Sequence, residues 1–261
     1  MNILFFDIDG TLITNDEARI FPEDAKKAIA DCRAAGNLAF INTGRVYCNI
    51  DPFIREAGFD GYVCGCGSHI IYNGRELYHK GLDREICREI AYKCREFKMN
   101  ALFEYKDYTC FDKEMDSPDR DILVRYFSSG GKKLVDDIED PDFIFDKFSS
   151  WYTSESSLED FKKYISRYFS YIDREGDFCE LEPIGHSKAT GIKFLLDYFG
   201  IQSDNAFVFG DGNNDLEMMK YVKHSICMKN GSEAARQAAE YITDDVLSGG
   251  IKKAMMNYGL L

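Results

Sequence analysis

Short apolar runs closed by polar turns alternate with helical stripes through the first eighty residues. Ile3–Phe6 runs into Asp7-Ile8-Asp9-Gly10, and an apolar run that short, ended by a turn, predicts a buried parallel strand. Ala25, Ala28, Ile29 and Cys32 fall at i, i+3, i+4 and i+7, which predicts a helix beginning near Pro22 and stopped by Gly36. Residues 38–41 predict the next strand. Asn42-Thr43-Gly44-Arg45 follows, with a further helical segment expected to about Ala57. Residues 62–64 predict a third strand, and residues 70–72 and 76–78 flank Asn73-Gly74, a strong hairpin signal.

The pattern changes near Gly81. Ile86, Ile90, Cys94 and Phe97 form a helical stripe, and aromatic, β-rich segments follow at residues 102–111, 143–153 and 178–184. A helix carrying Leu158, Phe161, Tyr164, Ile165 and Tyr168 lies between the last two. Strands in runs with helices between them predict a smaller α+β module. From His186 the βα alternation resumes, with strands expected at residues 206–209, 225–228 and 241–243, each followed by a helical stretch. The fold class expected is α/β: a doubly wound, mostly parallel, Rossmann-like sheet core over residues 1–81 and 186–261, with an α+β cap domain inserted over residues 82–185.

Composition narrows the functional classes. The chain has 261 residues, of which 45% are hydrophobic and 30% charged. That supports a real core and excludes disorder and collagen-like architecture. The formal net charge of −13 repels nucleic-acid backbones and anionic membrane surfaces. Most of it falls on residues 82–185, with 16 Lys+Arg against 25 Asp+Glu, leaving 16 against 20 elsewhere. No apolar run approaches the ~20 residues of a membrane span. MNILFFDIDG is too short and too acidic a start for a signal peptide. Nine cysteines without zinc-type spacing predict buried structural thiols in a cytoplasmic protein.

In a doubly wound sheet, ligands bind beyond the carboxyl ends of the strands. Asp7 and Asp9 follow the first predicted strand, and Thr43, Gly44 and Arg45 the second. Asp211, Asn214 and Asp215 follow the strand at residues 206–209, and Lys188 opens the helix that re-enters the core. Clustered carboxylates cannot all ionise cheaply side by side. An all-oxygen donor set with two or three carboxylates suits Mg²⁺. A hard cation, a lysine and backbone amides are what a phosphoryl group in transfer requires. Asp7, ionised at neutral pH, suits a nucleophile, and Asp9 an acid and base.

Asp7-Ile8-Asp9-Gly10-Thr11-Leu12, Thr43-Gly44-Arg45, Ser187-Lys188 and Gly210-Asp211-Gly212-Asn213-Asn214-Asp215 resemble, in order and spacing, the four motifs of the haloacid dehalogenase (HAD) superfamily. The long insert between the second and third resembles the C2B cap of its Cof-type, class IIB phosphatases. Residues 185–192 and 228–235 are also similar to that group. The resemblance implies Asp7 as nucleophile, through an aspartyl-phosphate, and Asp9 as acid/base. It implies Mg²⁺ held by Asp7, the Asp9 carbonyl and Asp211, with Asp215 in or just behind the metal shell. Thr43, Gly44, Lys188 and Asn214 would hold the phosphoryl group. Cys66-Gly67 stands where the family often has Asn-Gly. Arg45, Glu182 and His186 are further candidates for substrate contact.

The function expected is a Mg²⁺-dependent hydrolase of small phosphorylated metabolites, sugar phosphates first and phosphorylated cofactors second. The cap would close over the crevice and read the leaving group. Two alternatives remain: a phosphomutase sharing the first motif, or a non-catalytic sensor of phosphorylated ligands. The global acidity does not exclude a phosphate substrate, because Mg²⁺, Lys188 and Arg45 would supply a local positive field.

Overall fold

A computed structural model describes residues 1–114, 124–125, 133–174 and 176–261. The chain forms two compact units. The first comprises Met1–Gly44, Pro52–Tyr78 and His186–Leu261, the second Arg45–Asp51 and His79–Gly185.

Among the described residues, the first unit is organised on an eight-stranded sheet. Its order is Tyr241–Ile242, His224–Cys227, Ala206–Gly210, Ile3–Phe6, Leu38–Asn42, Gly61–Cys64, His69–Tyr72 and Arg75–His79. Pairing is parallel from Tyr241–Ile242 through Gly61–Cys64 and turns antiparallel at His69–Tyr72. Ile3–Phe6 lies in the middle with all four side chains wholly buried. That is why it reads as an unbroken apolar run, since a central parallel strand is covered on both faces. Ile3 and Phe5 pack with Phe40, Val63, Ile192, Leu195, Val208 and Met218, while Phe6 stacks on Phe209 with ring centroids 4.6 Å apart. The Asn73-Gly74 turn has φ of 47° and 72°, as a tight hairpin turn demands.

Among the described residues, the second unit carries a six-stranded sheet in the order Phe169–Asp173, Phe178–Pro183, Lys147–Trp151, Asn100–Tyr105, Tyr108–Phe111 and Leu134–Val135. Each neighbouring pair is antiparallel except the last, which is parallel. Phe103, Phe143, Phe145, Phe148, Phe161 and Phe169 form its apolar core. The alternate positions are polar: Glu104 pairs with Lys147, and Ser149 with Glu180. Period-two alternation thus separates an aromatic face from a polar one.

Two expectations are corrected. The segment after Arg45 is not a helix to Ala57. It is a single tight turn at Tyr47–Asn49, then a four-residue helix at Pro52–Arg55. Pro52 has no N–H to donate and drives Asp51 out of helical geometry, so it can open a helix but not continue one. Residues 45–51 are drawn instead into the second unit. There the Cys48 amide donates to the Lys106 carbonyl at 3.0 Å, and Asn49 Nδ2 to Glu104 Oε2 at 3.0 Å. Phe169–Asp173 is a strand that the sequence reading did not separate from the preceding helix. Among the described residues it pairs on one side only, with Phe178–Pro183. Eight of the nine cysteines are buried, Cys48 being the intermediate one. Among the described residues, no helix is long and apolar enough to cross a membrane.

Candidate active site

The strand Ile3–Phe6 delivers Asp7 at its carboxyl end, where the Asp7 amide donates to the Phe209 carbonyl at 3.0 Å. Pairing Phe6 with Phe209 sets the ends of the two strands side by side. Residues 200 positions apart, Thr11 and Asp211, thereby meet, with Thr11 Oγ1 donating to Asp211 Oδ1 at 2.8 Å. Gly10 permits this approach. Its φ is +75°, and a Cβ there would stand 2.3 Å from Asp211 Oδ2.

Lys188 is the first residue of the helix Lys188–Phe199. That start is fixed by a capping box, in which the Thr190 amide donates to Ser187 Oγ and Thr190 Oγ1 takes the Ser187 amide. Lys188 Nζ lies 2.7 Å from Asp7 Oδ1 and 2.6 Å from Asp215 Oδ1. Asp215 is held from its other side, where Oδ2 accepts the backbone N–H groups of Asp211 and Gly212, each at 2.9 Å. Both its oxygens are thus engaged by protein donors.

One carboxylate oxygen from each of Asp7, Asp211 and Asp215 lies within 4.8 Å of the others. Burial is the main cause that pushes Asp7 up to about 7. Lys188 opposes the rise, while Asp215 and Asp211 add repulsion. Burial likewise pushes Asp211 up to about 6, against the Thr11 hydrogen bond and with repulsion from Asp215. Burial works against the charge on Lys188, yet Asp215 and Asp7 hold its ammonium above the ordinary lysine range. The protein's own cation thus leaves two neighbouring carboxylates raised. An all-oxygen donor set in that state fits a hard divalent cation, with Asp7 and Asp211 offering ligand atoms and Asp215 orienting the lysine and the Asp211 loop.

Asp9 lies within the same turn, 37% exposed, with Arg19 Nη1 3.6 Å from its Oδ1. Thr43 is buried, its amide donating to the Val63 carbonyl at 2.9 Å and its carbonyl accepting from Cys66 at 3.1 Å. Cys66 takes left-handed geometry at φ 53°, and its Sγ would be 3.4 Å from a Cβ placed on Gly44. Asn214 is exposed in the short turn Asn213–Asp215 that follows the strand Ala206–Gly210. His186 Nε2 pairs with Tyr78 Oη at 2.9 Å. Arg45 and Glu182 belong to the second unit. Arg45 Nη1 donates to the Asn49 carbonyl at 3.1 Å and to Asp51 Oδ2 at 3.0 Å, and Glu182 is buried.

Several participants were not singled out by the sequence. Thr11 binds Asp211. Asn230 Nδ2 donates to the Gly10 carbonyl at 2.8 Å, and the Ser232 amide to the Asp211 carbonyl at 2.8 Å. A signal existed for Asn230, since it follows the strand His224–Cys227 at the same carboxyl edge that carries Asp7 and Asp211.

Known proteins share this arrangement of chain. A family model described as haloacid dehalogenase-like hydrolase matches residues 4–255. The Bacillus subtilis (strain 168) protein named "Putative phosphatase YkrA" is 26% identical over 262 residues, covering 99% of this chain and 98% of its own. A hypothetical protein from Geobacillus kaustophilus HTA426 superposes with a TM-score of 0.87 at 25% identity, over 100% of this chain and 99% of the other. The HAD subclass IIB sugar phosphatase BT4131 superposes with a TM-score of 0.81 at 23% identity over the full length of both chains.

Proposed function

Because the chain belongs to the haloacid dehalogenase-like hydrolase family, we propose that this phosphatase hydrolyses small phosphorylated metabolites through a covalent phosphoryl intermediate on Asp7, with Mg²⁺ as its cofactor. The observation that carries this reading is the fully buried Lys188 ammonium shared between Asp7 and Asp215, beside Asp211.

Asp7 attacks phosphorus with a carboxylate oxygen, and the bond from phosphorus to the leaving oxygen breaks. Asp9 gives that oxygen its proton. Water then attacks phosphorus, Asp9 takes the proton back, and the bond to Asp7 breaks to release phosphate. Lys188 opposes the effect of burial on Asp7, favouring its ionised form, and faces the charge that spreads over the phosphoryl oxygens. Thr43, the Gly44 amide and Asn214 hold those oxygens. Asp7, the Asp9 carbonyl and Asp211 would hold Mg²⁺, which would supply neutralisation of phosphoryl charge and orientation of the group. Asp215 holds Lys188 and the Asp211 loop from behind.

The second unit, in this reading, is the C2B-type cap that selects the leaving group, with Glu182 and Arg45 among its candidate contacts and His186 a candidate from the first unit. Sugar phosphates are the first substrate class, phosphorylated cofactors the second. Buried thiols suit a reducing, cytoplasmic setting. Phosphate release from a panel of phosphorylated metabolites, with Mg²⁺ present, tests the proposal. Release from one class at a kcat/KM well above that for p-nitrophenyl phosphate supports it. An isomerised product without free phosphate makes the protein a mutase, and no turnover of any ester makes it a sensor.

A further inference from the structure

We propose that Asn42 is a positioning residue for Lys188, an inference that rests on the phosphatase reading above. Asn42 ends the strand Leu38–Asn42, directly before Thr43, and is wholly buried. Its Nδ2 donates to the Lys188 carbonyl at 3.1 Å and lies 3.5 Å from Met218 Sδ. Met218 sits in the helix Leu216–Tyr221, which begins directly after Asp215. One side-chain amide therefore links the segment before Thr43, the residue that bridges Asp7 and Asp215, and the helix behind Asp215.

The amide is a poor choice for stability alone. Asn42 Oδ1 is buried without a hydrogen-bond partner among the described residues. Leaving such an acceptor unsatisfied is unfavourable, and a leucine of similar shape would avoid that cost. What asparagine supplies and leucine cannot is the N–H on the Lys188 carbonyl. The capping box fixes the first turn of the Lys188 helix against itself, through Ser187 and Thr190. The Asn42 bond fixes that turn against the sheet. Lys188 Nζ has two targets, at 2.7 and 2.6 Å, carried on two different strand ends. A helix start free to shift by a fraction of an ångström would satisfy one carboxylate at the expense of the other.

The test compares wild-type protein with Asn42→Leu and with Met218→Leu, which keeps the volume and removes only the sulfur contact. Each is assayed on p-nitrophenyl phosphate with Mg²⁺, and with orthovanadate, a mimic of the phosphoryl group in transfer. The expected result for Asn42→Leu is a melting temperature at or above wild type and a kcat lowered about ten- to a hundredfold, the scale of a small misplacement. KM should change little, and the vanadate inhibition constant should rise by the same factor as kcat falls. Met218→Leu should match wild type. A merely structural role would instead lower the melting temperature and the active fraction, leaving the vanadate constant unchanged.

Wild-type kcat and vanadate affinity in folded Asn42→Leu would overturn the proposal, as would an equal loss in Met218→Leu. If the leucine variant fails to fold, Asn42→Ala carries the same readouts. A crystal structure of the variant reads the point without activity: Lys188 Nζ displaced from Asp7 or Asp215 supports the proposal, and both contacts retained overturn it. Absence of turnover by wild-type protein would refute the phosphatase reading, and the displacement of Lys188 would still decide the role of Asn42.

Discussion

Lys188 Nζ stands 2.7 Å from Asp7 Oδ1, with none of the lysine side chain exposed and a second carboxylate, Asp215, at 2.6 Å. A buried charge of that kind holds only while its partners remain. Lys188→Met leaves two buried carboxylates facing one another, which should destabilise the metal-free protein by about 3–5 kcal/mol. Urea unfolding checks this, and the variant should also lose turnover. A loss below about 1 kcal/mol would show the pair to be dispensable.

Asp211 makes stability depend on pH in a direction opposite to most surface carboxylates. Its folded-state value is raised from 3.8 to about 6. The folded protein therefore holds a proton that the unfolded chain has released, and stability is lost as pH climbs through that window. Asp211→Asn is neutral throughout, so it should be more stable than metal-free wild type at pH 8, by roughly 3 kcal/mol from the size of the shift, with the gain vanishing near pH 4. Thermal unfolding across pH, with and without Mg²⁺, checks both signs. Mg²⁺ should stabilise wild type at pH 8 and the variant much less.

Gly10→Ala would place a methyl group 2.3 Å from Asp211 Oδ2 in a backbone held at φ +75°. The Asp211 carboxylate must move, so the dissociation constant for Mg²⁺ should rise about 10- to 100-fold, the range seen when groups that orient metal ligands are disturbed. Calorimetric titration with Mg²⁺ measures it. An unchanged constant would place the cation elsewhere.

Asp9 should matter in proportion to how badly the leaving group needs a proton. Asp9→Asn should lower kcat on alkyl phosphates by about 10²–10⁴, and the first step on p-nitrophenyl phosphate far less, since nitrophenolate leaves unaided. Equal loss of the first step on both would deny Asp9 the role of acid.

The sequence made the core legible because central parallel strands are apolar on both faces and end in polar turns. Ile3–Phe6 with Asp7, and Ala206–Gly210 with Asp211, stood out for that reason. Asp7, Lys188, Asp211 and Asp215 are brought together as their strand ends and helix start suggested. The segment after Arg45 misled because its local pattern is helical while Pro52 and the partners offered by Lys106 and Glu104 decide otherwise. Phe169–Asp173, paired on one side, lacks the doubly buried pattern and merges into the preceding helical stripe. Asn42 and Asn230 donate to distant carbonyls, 146 and 220 positions away, and no local spacing encodes those partners.

The proposed mechanism turns on Asp7 carrying the phosphoryl group. Acid-quenched turnover of p-nitrophenyl phosphate with Mg²⁺, followed by mass spectrometry of the peptide containing Asp7, tests it most directly. A hydroxylamine-labile phosphoryl adduct on Asp7 is expected, enriched in Asp9→Asn and absent from Asp7→Asn, which should release no phosphate. Undiminished phosphate release by Asp7→Asn, or an adduct on another residue, would contradict it.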